Sequence, residues 1–218
     1  MKICIFGGTF NPIHYGHLRA AEEVREKLQF NKMLFIPSGN PPLKIKDITD
    51  AGHRYEMVRL AIADNPFFEL SDIECKKKGK SYSVKTLEEL KVAYPQAEIF
   101  FMLGIDAFLD IPNWWNPERL LALAHFIIIS RPGFRFIDLL MSPYIIKRKN
   151  VLNQIQKRES VLSKVPLISN REGILFKLTP IGISSTEIRR LIKLGRSIKY
   201  LLPPEVQSYI IRNKLYKS

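Results

Sequence analysis

The sequence predicts an α/β fold in which a parallel sheet carries helices on both faces and a helical tail follows at the C-terminus. Six short segments are typical of strands, at 3–6, 33–37, 67–73, 98–103, 126–130 and 174–178. Segments of helical length lie between or after them, at 16–29, 53–64, 81–93, 117–124, 184–194 and 203–213. Apolar strands that alternate with helices are the pattern of a parallel sheet buried on both sides.

The first half of the chain shows this alternation clearly. Residues 3–6 are uniformly apolar and predict a buried first strand. One apolar stripe runs along the helix predicted at 16–29, formed by Leu18, Ala21, Val24 and Leu28. A proline-rich loop at 38–50 follows the second strand, and Asn65-Pro66 stops the helix predicted at 53–64.

The second half is less regular. Residues 134–164 are both basic and apolar, and we predict one or two helices there within a variable basic insert at 134–173. Gly195 ends the next helix, and Pro203-Pro204 begins the last one. No linker separates these parts, so the prediction is a single domain, 1–218, whose C-terminal part, 184–218, is helical.

The net charge of +13 is unevenly distributed. Residues 1–133 carry 17 Lys/Arg against 16 Asp/Glu, whereas 134–164 carry 7 against 2 and 185–218 carry 8 against 2. Such a field can steer small polyanions as well as nucleic acid. The nearly neutral first two-thirds lacks interleaved aromatic and basic residues, so we expect no nucleic-acid partner.

The remaining composition points to a cytoplasmic protein. Cys4 and Cys75 are isolated and give neither a disulfide framework nor a metal site. No uninterrupted apolar stretch reaches the ~18 residues of a spanning helix, so no membrane association is expected. The sequence leaves the oligomeric state open, a homodimer included.

The first candidate site lies directly after the first strand, at residues 7–17. Gly7 and Gly8 let the backbone approach a ligand closely, and the following helix start suits a phosphate. His14 and His17 are three residues apart and can lie on one side of the first helical turn. Two incidental histidines near a helix start are the alternative that spacing alone leaves open.

The second candidate site is the start of another helix, at residues 183–189. Ser184 and Glu187 have the spacing of a capping box. Ser185, Thr186 and Arg189 add two hydroxyls and a permanently charged fork that suits a triphosphate. The segment is therefore predicted to be a capped helix start that also binds polyanions.

Together the two segments resemble the paired HxGH and ISSTxIR motifs of the HxGH nucleotidyltransferases, and specifically the bacterial nicotinate-nucleotide adenylyltransferase family. Residues 7–18 match that family's opening, and other segments resemble its later motifs: Gly104-Ile105-Asp106, 112–115, 130–133 and 200–206. The resemblance covers 1–133 and about 174–217 and implies a Rossmann-like fold. Leu43 stands where the family often has a histidine, although Lys44 is kept, and Ser83 stands where it has threonine.

The resemblance implies transfer of the adenylyl group of ATP to nicotinate mononucleotide. The implied ATP contacts are Gly7, Gly8, Thr9, Phe10, Gly104, Asp106, Ser184, Ser185 and Thr186. The implied residues nearest the chemistry are His14, His17, Lys44 and Arg189, and the implied acceptor contacts are Ser83, Trp114, Trp115 and Arg131. Mg²⁺ would be carried by the phosphates, without a metal site made by the protein.

Other functions fit less well. Other HxGH transferases use phosphopantetheine or a cytidylyl donor. The resemblance to the adenylyltransferase family at Trp114 and at 200–206 argues against them. A class I aminoacyl-tRNA synthetase would need more than 218 residues for its anticodon-binding parts. His53 and His125 lie outside any such motif and are interpreted as structural.

Overall fold

The computed structural model describes residues 1–42, 48–146, 148–157 and 160–217. Its seven strands are β1 (Lys2–Gly8), β2 (Lys32–Pro37), β3 (Phe68–Leu70), β4 (Glu98–Gly104), β5 (His125–Ile129), β6 (Leu162–Pro166) and β7 (Glu172–Phe176). They form one sheet in the order β3-β2-β1-β4-β5-β7-β6. All neighbouring strands are parallel except β6 and β7.

The helices are α1 (Tyr15–Leu28), α2 (Ala51–Ile62), α3 (Ser83–Ala93), α4 (Ile105–Asp110), α5 (Pro117–Leu123), α6 (Lys149–Gln156), α7 (Ser185–Lys193) and α8 (Pro204–Arg212). Short 3-10 turns lie at Ile111–Asn113 and Phe136–Met141. Within the described ranges, no helix has the length and apolar character needed to cross a membrane.

Two hydrophobic cores confirm that helices cover both faces of the sheet. Alternate residues of β1 enter different cores, with Ile3 and Ile5 in one and Cys4 and Phe6 in the other. The first core also contains apolar residues of α3, α4, α5 and α6. The second contains apolar residues of α1, α2, α7 and α8. The helical C-terminal part thus packs beside α1 and α2.

The strand order creates a crevice at the carboxyl ends of β1 and β4. From β1 the chain runs outward through β2 to β3, and then crosses to β4 on the other side of β1. The segments that leave β1 and β4 therefore separate from each other. Ligands of open α/β sheets bind at such a switch point.

The insert differs from its prediction. Among its described residues, α6 is one of the one or two helices predicted at 134–164, but β6, at Leu162–Pro166, is a strand antiparallel to β7. Val165 is its one fully buried residue, so this edge strand lacks the apolar run that marks the central strands. Helix α4 was not predicted, because a helix of six residues is too short to show a helical period in the sequence.

Candidate active site

The turn after β1 is packed against aromatic rings. Phe10 adopts a left-handed backbone conformation with φ 47°. A Cβ on Gly8 would lie 3.0 Å from the Phe10 ring, and one on Gly7 would lie 3.4 Å from the Phe101 ring. The ring of Phe10 is buried and meets the His17 imidazole edge-on, with centroids 5.2 Å apart. Phe10 thus packs against His17, one of the predicted site residues.

His14 and His17 form one stacked pair at the start of α1. Their ring centroids are 3.8 Å apart and their planes differ by 28°. His14 occupies the N-cap position, but its side chain makes no capping hydrogen bond. Both Nδ1 atoms are buried without a hydrogen-bond partner. The structure therefore places the two imidazoles together, as the spacing predicted.

The surroundings of both imidazoles favour the neutral form. Burial, and then the charge of Arg131, lowers the pKa of His14 to about 4. Burial, His14 and Arg131 together lower the pKa of His17 well below its ordinary value. The lowered pKa values therefore leave the pair uncharged near neutral pH.

This neutrality should make the free protein sensitive to acid. Because the folded pKa of His14 is about 4, the unfolded chain takes up this proton first as pH falls below about 6.5. Stability from His14 is therefore present above that value and is lost toward pH 4. Between pH 7 and pH 5 we expect wild type to lose about 2 kcal/mol more than His14→Gln in urea unfolding. Parallel pH profiles for the two proteins would contradict this expectation.

The start of α7 is capped as predicted, but by one half of the capping box. The Ser184 hydroxyl accepts a hydrogen bond from the Glu187 amide at 3.2 Å. The Glu187 carboxylate pairs with Arg190 at 2.7 Å. This i, i+3 pair is exposed and contributes little to stability.

Two residues of α7 bond directly to the turn after β1. The Ser185 hydroxyl donates to the Pro12 carbonyl at 2.8 Å, and Arg189 Nη1 donates to the Asn11 carbonyl at 2.8 Å. Arg189 Nη2 lies 3.4 Å from the Thr186 hydroxyl. These contacts join the two sequence motifs, which are more than 160 residues apart, into one site.

The segments after β4 and β5 add a carboxylate and a cation. Arg131 Nη1 donates to Asp106 Oδ2 at 2.8 Å, while Asp106 Oδ1 is buried without a partner. A Cβ on Gly104 would lie 2.4 Å from that free oxygen, so only glycine leaves room for the carboxylate to turn back over the strand end. Arg131 also lowers the pKa of both histidines, which places its charge near them.

Buried polar atoms without partners concentrate at this edge of the sheet. In the described ranges there are five such side-chain atoms, and four of them follow β1, β2 or β4: His14 Nδ1, His17 Nδ1, Ser38 Oγ and Asp106 Oδ1. Buried polar groups in folded proteins are normally hydrogen-bonded. Their convergence indicates a polar ligand in the crevice. Ser38 was not predicted, because a serine in a loop has no distinguishing pattern.

Comparisons with known proteins identify the family of this chain. A cytidylyltransferase-like family model matches residues 5–191. A "probable nicotinate-nucleotide adenylyltransferase" of Desulfitobacterium hafniense (strain Y51) is 44% identical, covering 99% of this chain and 96% of the relative. One of Geotalea daltonii is 45% identical, covering 99% and 98%. The chain belongs to the nicotinate-nucleotide adenylyltransferase family. This confirms the resemblance seen in the sequence.

A solved structure shows the same fold at lower identity. Plasmodium falciparum nicotinic acid mononucleotide adenylyltransferase complexed with NaAD superposes with a TM-score of 0.73 at 23% identity. The alignment covers 99% of this chain and 97% of that one. The Rossmann-like α/β architecture is therefore shared across the whole chain.

Three of the four residues predicted to contact the acceptor, Ser83, Trp114 and Trp115, lie at the start of α3 and before α5. Ser83 is the first residue of α3, whose start has no side-chain cap. Trp114 packs partly against the core, and its indole N–H donates to Asp110 at 3.0 Å. Trp115 is half exposed and lies 5.1 Å from the Tyr82 ring. The structure thus groups Ser83 and Trp115 at one helix start through Tyr82.

Two predicted features of the second loop fall outside the described residues. The family resemblance places Lys44 among the residues nearest the chemistry, and Leu43 stands where the family often has a histidine. Both residues belong to the undescribed segment 43–47. The role of Lys44 stays a prediction.

Arg54 organises the site and was not predicted to do so. Its side chain is only 1% exposed. It donates to three backbone carbonyls, those of Thr9, Gly39 and Thr49, at 2.8 to 2.9 Å. The guanidinium therefore connects the turn after β1 to Gly39 and Thr49, near the two ends of the loop that follows β2. Hydropathy would place an arginine at this helix start on the surface.

Proposed function

We propose that this chain transfers the adenylyl group of ATP to nicotinate mononucleotide, giving deamido-NAD and pyrophosphate. The observation that carries the proposal is the convergence of unpartnered polar atoms of His14, His17 and Asp106 at the switch point of the sheet, where Arg189 bonds to the turn after β1. Family membership supports the same reaction.

The ATP subsite would be built by β1, α1, α7 and the end of β4. Gly7, Gly8 and Thr9 would frame the nucleotide through their backbone, and Phe10 through its support of His17. His14 and His17 would face the α-phosphate region. Arg189, with the hydroxyls of Ser184, Ser185 and Thr186, would hold the β- and γ-phosphates. Asp106, turned back over Gly104, would accept from a ribose hydroxyl through its free Oδ1.

The acceptor subsite would be built by α3 and the segment before α5. The indole of Trp114 or Trp115 offers a face on which an electron-poor pyridine ring can stack. Ser83 would receive the carboxylate at the helix start. Arg131, which donates a hydrogen bond to Asp106, would lie between the two substrates. Lys44 is proposed to act at the same place.

The chemistry needs positioning more than acid–base catalysis. A phosphate oxygen of the acceptor attacks the α-phosphorus of ATP, the bond from that phosphorus to the bridging oxygen breaks, and pyrophosphate leaves with those electrons. The attacking phosphate is already ionised, so no protein base or nucleophile is required. The buried imidazoles would donate hydrogen bonds to phosphate oxygens, and the anion would draw their pKa upward from its lowered value.

We propose that Mg²⁺ arrives with ATP. Among the described residues, no three His, Cys, Asp or Glu side chains are grouped so as to hold a metal ion. Mg²⁺ commonly binds through substrate phosphates and keeps several waters. It would add positive charge on the triphosphate.

Because ATP is the donor, the proposal also places the protein in the cytoplasm.

Pyrophosphate release tests this proposal. In separate reactions, purified protein and Mg²⁺–ATP are mixed with one acceptor: nicotinate mononucleotide, nicotinamide mononucleotide or phosphopantetheine. A further reaction contains phosphocholine, with CTP in place of ATP. We expect turnover with nicotinate mononucleotide and at least tenfold lower kcat/KM with the nicotinamide form, because a neutral carboxamide forgoes a charge-assisted hydrogen bond. Faster turnover of nicotinamide mononucleotide, or turnover only with CTP, would refute the assignment.

A further inference from the structure

We propose that Lys85 is a specificity residue that makes the acceptor site favour a ring carboxylate over a carboxamide. This inference rests on the proposed function and adds to it a residue that neither the motif at 81–83 nor the family resemblance assigned. Three observations carry it: the position of Lys85 on α3, the rings its ammonium contacts, and the pairing of nearby carboxylates with other cations.

Lys85 stands where a cation weakens a helix. It lies in the first turn of α3, two residues after Ser83, and that turn contains no acidic residue. The positive end of the helix dipole opposes a lysine there and attracts an anion. Lys85 is also exposed, so packing does not explain its position. An anion bound at this helix start would interact favourably with both the helix and the lysine.

The ammonium of Lys85 is held over the predicted acceptor surface. Its Nζ lies 5.1 Å from the centroid of the Trp115 ring and 6.0 Å from that of Tyr82. Helical side chains lean toward the N-terminus, which directs Lys85 back toward Tyr82, three residues earlier. The two rings are themselves 5.1 Å apart. Lys85, Tyr82 and Trp115 therefore form one cationic aromatic wall beside Ser83.

The usual helical partners of Lys85 bind other cations. Glu88 and Glu89 lie three and four residues further along α3, where an ion pair with Lys85 would be expected. Glu88 instead accepts from Arg119 at 2.9 Å, and Glu89 accepts from Lys77 at 2.6 Å. In the part of the chain that the structure describes, Lys85 itself has no ion pair within 4.0 Å. Its charge remains available to a ligand on the rings.

A pyridine ring stacked on this wall would bring its substituent close to Lys85. A nicotinate carboxylate would gain the attraction of the ammonium, whereas the carboxamide of the nicotinamide form would gain none. The lysine therefore contributes selectivity between acceptors and leaves ATP binding unchanged. Because the site is partly exposed, the contribution should be modest and should weaken with salt.

Lys85→Met tests this role, because methionine keeps an apolar stem over the rings and removes the charge. We measure kcat and KM with nicotinate and nicotinamide mononucleotides at low and high KCl. The nicotinate-to-nicotinamide ratio of kcat/KM should fall about tenfold, mainly through a higher KM for nicotinate mononucleotide. The KM for ATP should stay the same. Lys85→Arg should retain most of the ratio, and Lys91→Met, at the other end of α3, should retain all of it.

The possible outcomes separate this inference from the proposed function. If wild type prefers nicotinate mononucleotide and Lys85→Met keeps the same ratio, the role of Lys85 is refuted while the proposed function stands. If wild type turns over neither mononucleotide, the proposed function is refuted and the role of Lys85 with it. A fall in kcat with both acceptors alike would also refute a role in selectivity.

Discussion

Replacing His17 by alanine should lower kcat with ATP and nicotinate mononucleotide by two to three orders of magnitude, on the order of the loss when a transition-state donor is removed. His17 is half-buried in the first turn of α1 and stacked on His14, and its Nδ1 is buried with no hydrogen-bond partner among the described residues. A preorganised donor in a site of low polarity is worth most where charge develops on the reacting phosphate. The KM for either substrate should change less than kcat.

The control for this variant is His125→Asn. His125 begins β5 and so lies at the amino ends of the parallel strands, away from the site, where its Nδ1 accepts from the Glu172 amide at 3.1 Å. The carboxamide oxygen of asparagine can accept the same bond, so activity should remain near wild type. Circular dichroism and thermal melts should show both variants folded. Near-normal kcat in a folded His17→Ala protein would remove His17 from the mechanism.

The fold was predictable because its signals are local. The apolar strands β1, β4 and β5, the cap at Ser184 and the proline that begins α8 depend on neighbouring residues, which the sequence displays directly. The insert was predicted less well. Its strand β6 exists because β7 offers an edge to pair with, and that long-range cause leaves little mark on residues 162–166.

The chemistry of the site was predictable in part. The pairing of His14 and His17 followed from their spacing, and the contact of Arg189 with the turn after β1 followed from the two motifs together. Their neutral state did not, because it depends on burial by the surrounding fold and on the charge of Arg131. The position of Lys85 over Trp115 likewise depends on how α3 meets the segment before α5.

Arg54 shows most clearly how a long-range interaction escapes sequence reasoning, and its replacement should have the largest effect on stability. Arg54→Met should lower the free energy of unfolding by about 3 kcal/mol or more, because three carbonyl oxygens would lose a charged donor inside the protein. Those carbonyls belong to Thr9, Gly39 and Thr49. For a chain of this size, the melting temperature should fall by about 6 to 12 °C.

The matched control is Arg59→Met on the same helix. Arg59 is exposed and pairs with the neighbouring Glu56 at 2.7 Å, so its replacement should change the melting temperature little. In Arg54→Met the turn after β1 also loses its tie to Gly39, and we expect the KM for ATP to rise even at temperatures where the variant is fully folded. Equal melting temperatures for the two variants would show that the carbonyls find other donors. A stability loss with an unchanged KM would mean that Arg54 holds the fold together without shaping the nucleotide site.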